Sequence, residues 1–332
     1  MIKMLAYSIL MLVMSPVGRW VAPAETHPVR AAVAERVIAT GFAADRSDLD
    51  LHFGAQPVPY RVMGVFALPA EDVSVEIGAG VPGYRLEASN GTVRDLGGNR
   101  WSWVAPASSG TAVLRVRRPD GTEAVTLNAF VMVPYAEMKR GSLNGYEIGE
   151  YPAPRAGRSD LYMRPRGFVA ITAETQKIQL SPHFQLGQFA CKSGAGLPKY
   201  AVVQPRLLLR LEGLLETANR EGIHAHTFQV MSAYRTPRYN RSIGNVTTFT
   251  RHQYGDAADI FVDEQPVDGR MDDLNHDGRF DRGDALVLSR MAAETENVPE
   301  DGGVKGGLSA YEPNRSHGPF VHVDTRGYVA RW

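Results

Sequence analysis

Two short segments carry side chains able to hold a metal. Thr250-Arg251-His252-Gln253-Tyr254-Gly255-Asp256-Ala257-Ala258-Asp259-Ile260-Phe261-Val262 offers an imidazole and then a carboxylate on an otherwise apolar run. Both are donors that zinc accepts. Gly255 permits a sharp bend, and Ala257–Val262 reads as a strand with Ala257, Asp259 and Phe261 on one face. A carboxylate on such a strand is costly to bury without a partner or a cation. Phe320-Val321-His322-Val323-Asp324 reads as a second strand, with Phe320, His322 and Asp324 on one face. Two such strands could place His252, Asp259 and His322 around one metal and leave the fourth tetrahedral position for water, the arrangement of a catalytic site. The plainer alternative is two ordinary His–Asp hydrogen bonds.

A third segment has calcium chemistry. Asp273-Leu274-Asn275-His276-Asp277-Gly278-Arg279-Phe280-Asp281-Arg282-Gly283-Asp284 fits the loop pattern D-x-N-x-D-G. Oxygen donors fall on Asp273, Asn275, Asp277, the backbone of Arg279, and Asp284, with Gly278 at the sharp turn. Asp284 replaces the usual bidentate glutamate, as in dockerin-type loops. The expected role is structural, and a solvated acidic turn is the alternative.

These segments need a scaffold. At 332 residues the chain is long enough for two domains. Its charges cancel, with 36 Lys+Arg against 36 Asp+Glu, which argues against a nucleic-acid partner. A hydrophobic fraction of 44% allows sizeable cores. The single cysteine, Cys191, excludes an intrachain disulfide, a cysteine zinc finger and an iron–sulfur cluster, and reads as a small buried residue. Metal chemistry here therefore falls to His and carboxylates.

From about 56 to 135 the pattern is β: Tyr60–Leu68, Val73–Ile77, Tyr84–Ala88, Trp101–Val104, Ala112–Val116 and Ala124–Val133. Asn90-Gly91, Gly97-Gly98 and Asp120-Gly121 separate the runs, as in a small immunoglobulin-like β-sandwich. Trp101 and Trp103 alternate onto one face, read as core. Residues 136–180 are rich in Gly, Pro and Arg and read as an extended connector with a few strands. Residues 181–332 read as α+β. They open on an amphipathic helix over 204–221, with Pro205 in the first turn, a stripe of Leu207, Leu208, Leu211, Leu214 and Leu215, and Gly222 as C-cap. A strand is expected over 227–231 and a helix over 285–293.

The ordered set Ser232-Ala233-Tyr234-Arg235-Thr236-Pro237, then His252-x-x-Gly255-x-Ala257-x-Asp259, then Phe320-Val321-His322-Val323-Asp324 resembles the zinc D-Ala-D-Ala carboxypeptidase family of murein peptidases. That family shares its metal-site fold with the hedgehog signalling domain. The likeness covers roughly 181–332 and is nearest the branch ending in Phe-Val-His-Val-Asp-Thr and Arg-Trp, here Phe320–Thr325 and Arg331-Trp332. It implies that His252, Asp259 and His322 bind zinc. It implies that Arg235 binds the substrate carbonyl or carboxylate and stabilises the oxyanion, in company with Ser232 and Tyr234. The general base departs from the family pattern: Pro319 stands where many members have glutamate, and Phe320 where another branch has histidine. Some members of the family have a catalytic histidine at the spacing of His317, five residues before His322, so the resemblance makes His317 the expected base, with Asp324 as a further catalytic candidate or as the residue orienting a ligand. The implied activity is zinc-dependent hydrolysis of peptidoglycan stem peptides or cross-links, D,D or L,D. The alternative is a non-catalytic wall-binding or scaffold protein that keeps zinc and calcium for structure.

Lys3, the apolar run Met4–Met14 and Ala22-Pro23-Ala24 read as a signal peptide over 1–24, followed by an extension over 25–55. Export to the periplasm or cell envelope is the expectation, with no membrane span in the mature chain.

Overall fold

The computed structural model describes residues 42–78, 81–154, 162–245, 247–297 and 303–332. The expected leader lies outside them. The fold is mostly β-sheet, in several sheets, with few helices.

The first strands are β1 (Leu51–Phe53), β2 (Gln56–Pro57), β3 (Val62–Ala67), β4 (Asp72–Ile77), β5 (Arg85–Ala88), β6 (Thr92–Asp95), β7 (Arg100–Val104), β8 (Gly110–Arg117) and β9 (Glu123–Val131). They build one sheet in the order β2-β1-β4-β7-β6 and another in the order β3-β9-β8-β5. Alternation decides which side of each strand is inward. In β4, Val73, Val75 and Ile77 are buried while Asp72, Ser74 and Glu76 are exposed. Trp101 and Trp103 are both buried, on one face of β7. Pairing is antiparallel except between β3 and β9, which run parallel in register from Val62 opposite Thr126 to Ala67 opposite Val131. Short strands follow: β10 (Val133–Pro134), β11 (Ser142–Leu143), β12 (Tyr146–Glu147), β13 (Gly167–Ile171), β14 (Gln179–Ser181), β15 (Phe184–Gln185) and β16 (Lys199–Ala201).

The remaining elements frame the metal candidates. They are α1 (Pro205–Arg220), β17 (Gln229–Ser232), α2 (Pro237–Ser242), β18 (Ala257–Phe261), α3 (Arg282–Glu294), β19 (Gly307–Tyr311), β20 (Phe320–Asp324) and β21 (Ala330–Arg331). Helix α1 starts with proline at its first position and buries all five leucines of the expected stripe. Two charged residues, Arg210 and Glu212, are buried with them. The strands form one sheet in the order β17-β18-β20-β19-β21. Every residue of the inner strands β18 and β20 is buried.

The bend before β18 depends on Gly255, which takes φ +72° after a 3-10 turn over Arg251–Tyr254. A Cβ at this position would sit 2.3 Å from the carbonyl oxygen of Val202. Left-handed backbone and a collision with main chain both oppose a side chain. Gly255→Ala is therefore expected to cost roughly 2–4 kcal/mol in a urea titration. A loss below about 0.5 kcal/mol, the range of an inconsequential surface change, would refute the tight bend.

Candidate metal centre

Register brings the donors together. Across the C-terminal sheet Ser232 pairs with Asp259, Asp259 with His322, and His322 with Ser309. Directly opposed residues on one face lie close enough for side chains to touch. Asp259 Oδ1 is 2.9 Å from His322 Nδ1 and 3.3 Å from His252 Nε2. His252 arrives from outside the sheet, on the 3-10 turn that Gly255 closes. Among the described residues these three are the one group of His, Cys, Asp or Glu whose donor atoms all lie within 4.8 Å of one another, and all three are buried.

The outward-facing atom of each donor is also held. His252 Nδ1–H donates to the Ala233 carbonyl at 2.7 Å, which leaves Nε2 as the lone-pair nitrogen facing Asp259. Arg235 donates through Nη2 to Asp259 Oδ2, and through Nε to Ser232 Oγ at 2.7 Å. His322 Nε2 meets Asp324 Oδ2 at 3.2 Å. Asp324 is fully buried and further held by Arg326 and by the Gly307 amide at 2.9 Å. Such outer hydrogen bonds aim and tune metal ligands. Two imidazoles and a carboxylate converging with their far sides tethered form a group able to hold a metal ion.

The electrostatics agree. Burial pushes His252 down, so it is neutral and ready to ligate. Burial opposes the charge on Asp259, but the two histidines outweigh it and hold its carboxyl well below the usual range. Burial also opposes protonation of His322, yet its bonds to Asp259 and Asp324 lift it to about 9. An imidazolium thus bridges two carboxylates in the metal-free chain. Because the folded-state value lies above the ordinary 6.5, this contribution is complete below pH 6.5 and disappears as pH rises through about 9. Chelated protein is expected to unfold at lower urea concentration above pH 9 than below pH 6.5, and added zinc should erase the difference. A flat profile for the chelated protein would exclude the bridge.

The centre opens into a cleft of about 780 Å³. Arg235, Arg251 and Arg326 line it, together with Tyr311, Phe320, Tyr328 and Trp332. Trp332 packs on His322 at 5.3 Å between ring centroids, and Arg326 lies 5.0 Å over Trp332. The roles of Arg326 and Arg251 were not legible beforehand. Arg326 follows the Asp-Thr of the last motif, and Arg251 precedes a ligand; adjacency to ligands was the available signal.

Other expected site residues lie elsewhere. His317 is absent from the described lining of this cleft and borders a separate depression with Gln229, Met231 and Arg270. It accepts from Asn314 Nδ2 at 2.7 Å, donates to the Gly318 carbonyl at 2.8 Å, and meets Phe320 edge-on. Tyr234 is buried, its hydroxyl 2.8 Å from that of Tyr151 rather than in the cleft. Ser232 reaches the centre through Arg235. In the acidic loop, Asp273 accepts from the amides of Asp277 and Gly278, and Asn275 from that of Asp277. Asp277 accepts from the amide of Arg279, and Asp284 from those of Leu274 and Asp281. His276 and Gly278 take positive φ there. Cys191 is buried and free.

Fold and site together define a β-rich protein with a buried His–Asp–His cluster able to hold a metal ion. Comparisons with family models, curated proteins and solved structures find no match for this chain. No helix among the described residues is long and apolar enough to cross a membrane.

Proposed function

We propose that this chain is a zinc-dependent peptidase acting on the stem peptides or cross-links of peptidoglycan. The observation that carries the reading is the convergence of His252, Asp259 and His322, with Arg235, at the wall of an open cleft. A zinc ion held there supplies Lewis acidity to the scissile carbonyl. Arg235 stands beside it, anchored by Ser232 and Asp259, and offers its guanidinium to the negative charge that develops on the carbonyl oxygen. Asp324 is a positioning residue, fixing His322 from behind. The order of the three sequence motifs supports murein peptides as the substrate class. The apolar segment after Lys3 supports export to the envelope. The two N-terminal sheets, with Trp101 and Trp103 in their core, support an immunoglobulin-like accessory domain.

The test is incubation of the purified protein with muropeptides, with and without chelator. Chelator-sensitive release of peptide products supports the peptidase. One observation favours the second reading, a non-catalytic wall-binding protein. Among the described cleft-lining residues, no carboxylate or imidazole stands apart from the three ligand candidates to serve as base. Binding of muropeptides with no cleavage of any cross-link type would establish it.

Calcium at Asp273, Asn275, Asp277, the Arg279 backbone and Asp284 belongs to the same proposal, supported by the loop pattern. Calcium at about 100 times its Kd is expected to stabilise the protein by about 2.7 kcal/mol, and Asp273→Ala to remove the effect. No calcium-dependent gain in the intact chain would refute the site.

A further inference from the structure

A second cavity, of about 600 Å³, gathers four arginines in its wall: Arg164, Arg166, Arg206 and Arg251. No carboxylate among the described residues lines it. Pro57 of β2 and Leu209 of α1 supply an apolar part. Like charges packed around one space repel, and the carboxylates that answer them lie outside the wall. Asp256, fully buried, accepts from Arg206 Nη2 at 3.1 Å and from Arg251 Nε at 3.0 Å. Glu71 takes Arg166 at 2.7 Å. Arg164 has no ion pair among the described residues and lies 5.9 Å over the Tyr135 ring. These guanidiniums are open to solvent. The Arg166 and Arg206 side chains are 58% and 42% exposed, and Arg164 is exposed as well. Each guanidinium forks into several donors, so one carboxylate bond leaves others to spare. Helix α1 begins in the same wall with no acidic residue in its first turn, so its positive end adds to the field instead of offsetting it.

We propose that this cavity binds an organic phosphate, with the phosphoryl oxygens on Arg164, Arg166 and Arg206 and the organic part against Pro57 and Leu209. A phosphate monoester carries about −1.5 to −2 charge near pH 7 and several strong acceptor oxygens, enough to engage more than one fork at once. A carboxylate brings a single charge and satisfies one fork. The site is distinct from the metal centre yet adjoins it. Arg251 lines both cavities, and Asp256 ties Arg251 to Arg206. The inference does not depend on the peptidase reading.

The test is calorimetric titration of hexyl phosphate, hexanoate and inorganic phosphate into the full chain with chelator present, so that zinc cannot be the phosphate's partner. Hexyl phosphate is expected to bind at one equivalent, about tenfold tighter than either of the others. Arg164→Glu should abolish that binding and Arg206→Gln should weaken it several-fold. Arg94→Gln, which removes an exposed arginine on β6 outside the lining, should leave it unchanged. Arg164→Glu breaks no ion pair among the described residues, so its unfolding curve should match that of the parent. Sedimentation with vesicles of phosphatidylcholine and phosphatidic acid identifies the source of the phosphate. Co-sedimentation that is lost in Arg164→Glu assigns the site to a lipid head group. Binding of hexyl phosphate without co-sedimentation assigns it to a soluble phosphate. No saturable binding of hexyl phosphate, or binding that Arg164→Glu and Arg206→Gln leave intact, overturns the site.

Discussion

Asp259→Ala is expected to strip the centre of zinc and to lower peptide hydrolysis by roughly 1,000-fold or more, the several kcal/mol that a Lewis acid contributes. One oxygen of this carboxylate is the point on which both imidazoles converge, at 2.9 and 3.3 Å. Its other oxygen neutralises Arg235. Alanine therefore does more than delete one donor. It leaves a guanidinium uncompensated beside the place a cation must occupy, so the remaining histidines face repulsion as well as a missing ligand. Asp259→Asn keeps the shape and isolates the charge; it should also lose metal while retaining the fold. Elemental analysis after dialysis, paired with a muropeptide digest, reads both effects. Stoichiometric zinc in either variant, or undiminished cleavage without metal, would end the assignment.

The largest effect on stability is expected at Arg210. It lies in the buried part of α1, 2% exposed, and makes three bonds there. Nη1 donates to the carbonyls of Asp324 at 2.7 Å and Val304 at 3.0 Å, and Nη2 to Glu296 Oε1 at 2.6 Å. Burial pushes this guanidinium down, against the pull of Glu296. Removing Arg210 takes a donor from two backbone carbonyls and leaves the buried Glu296 with only Arg331, at 2.6 Å, and the Gly306 amide. Arg210→Leu should therefore lose about 3–5 kcal/mol in denaturant titration. A single variant within about 1 kcal/mol of the parent would show that the bonds are not made in solution.

Much of the candidate site was readable because strands alternate. The run Phe320–Asp324 is one strand with the expected bounds, and Asp259 pairs directly with His322. The five leucines marked α1 by spacing alone. Alternation stops informing where a strand stops, and that explains Tyr234. β17 ends at Ser232, so Tyr234 follows the turn inward to Tyr151 instead of sharing a face with Ser232. His317 stands apart from the cleft for a similar reason. Gly318 and Pro319 lie between it and the start of β20, and its imidazole closes a local loop with Asn314 and Gly318. Pairing partners far apart in sequence were also invisible: nothing in the pattern of β3 and β9 announces that they run parallel. Nor does a leucine-rich helix reveal that one of its three arginines, Arg210, reaches the backbone carbonyl of Asp324, whose side chain holds His322.

Glu216, on the face of α1 turned to the N-terminal strands, is gripped by Arg46 at 2.7 Å and by the Tyr60 hydroxyl at 2.8 Å. Asn128 of β9 reaches the carbonyl of Gln179, and Leu180 fills the space above Gly64. The C-terminal half thus borrows its neighbours as a permanent splint. Excising it as a stand-alone fragment would bare Glu216 and Leu180 together, so a shortened version made for assay would inherit a raw seam prone to clumping.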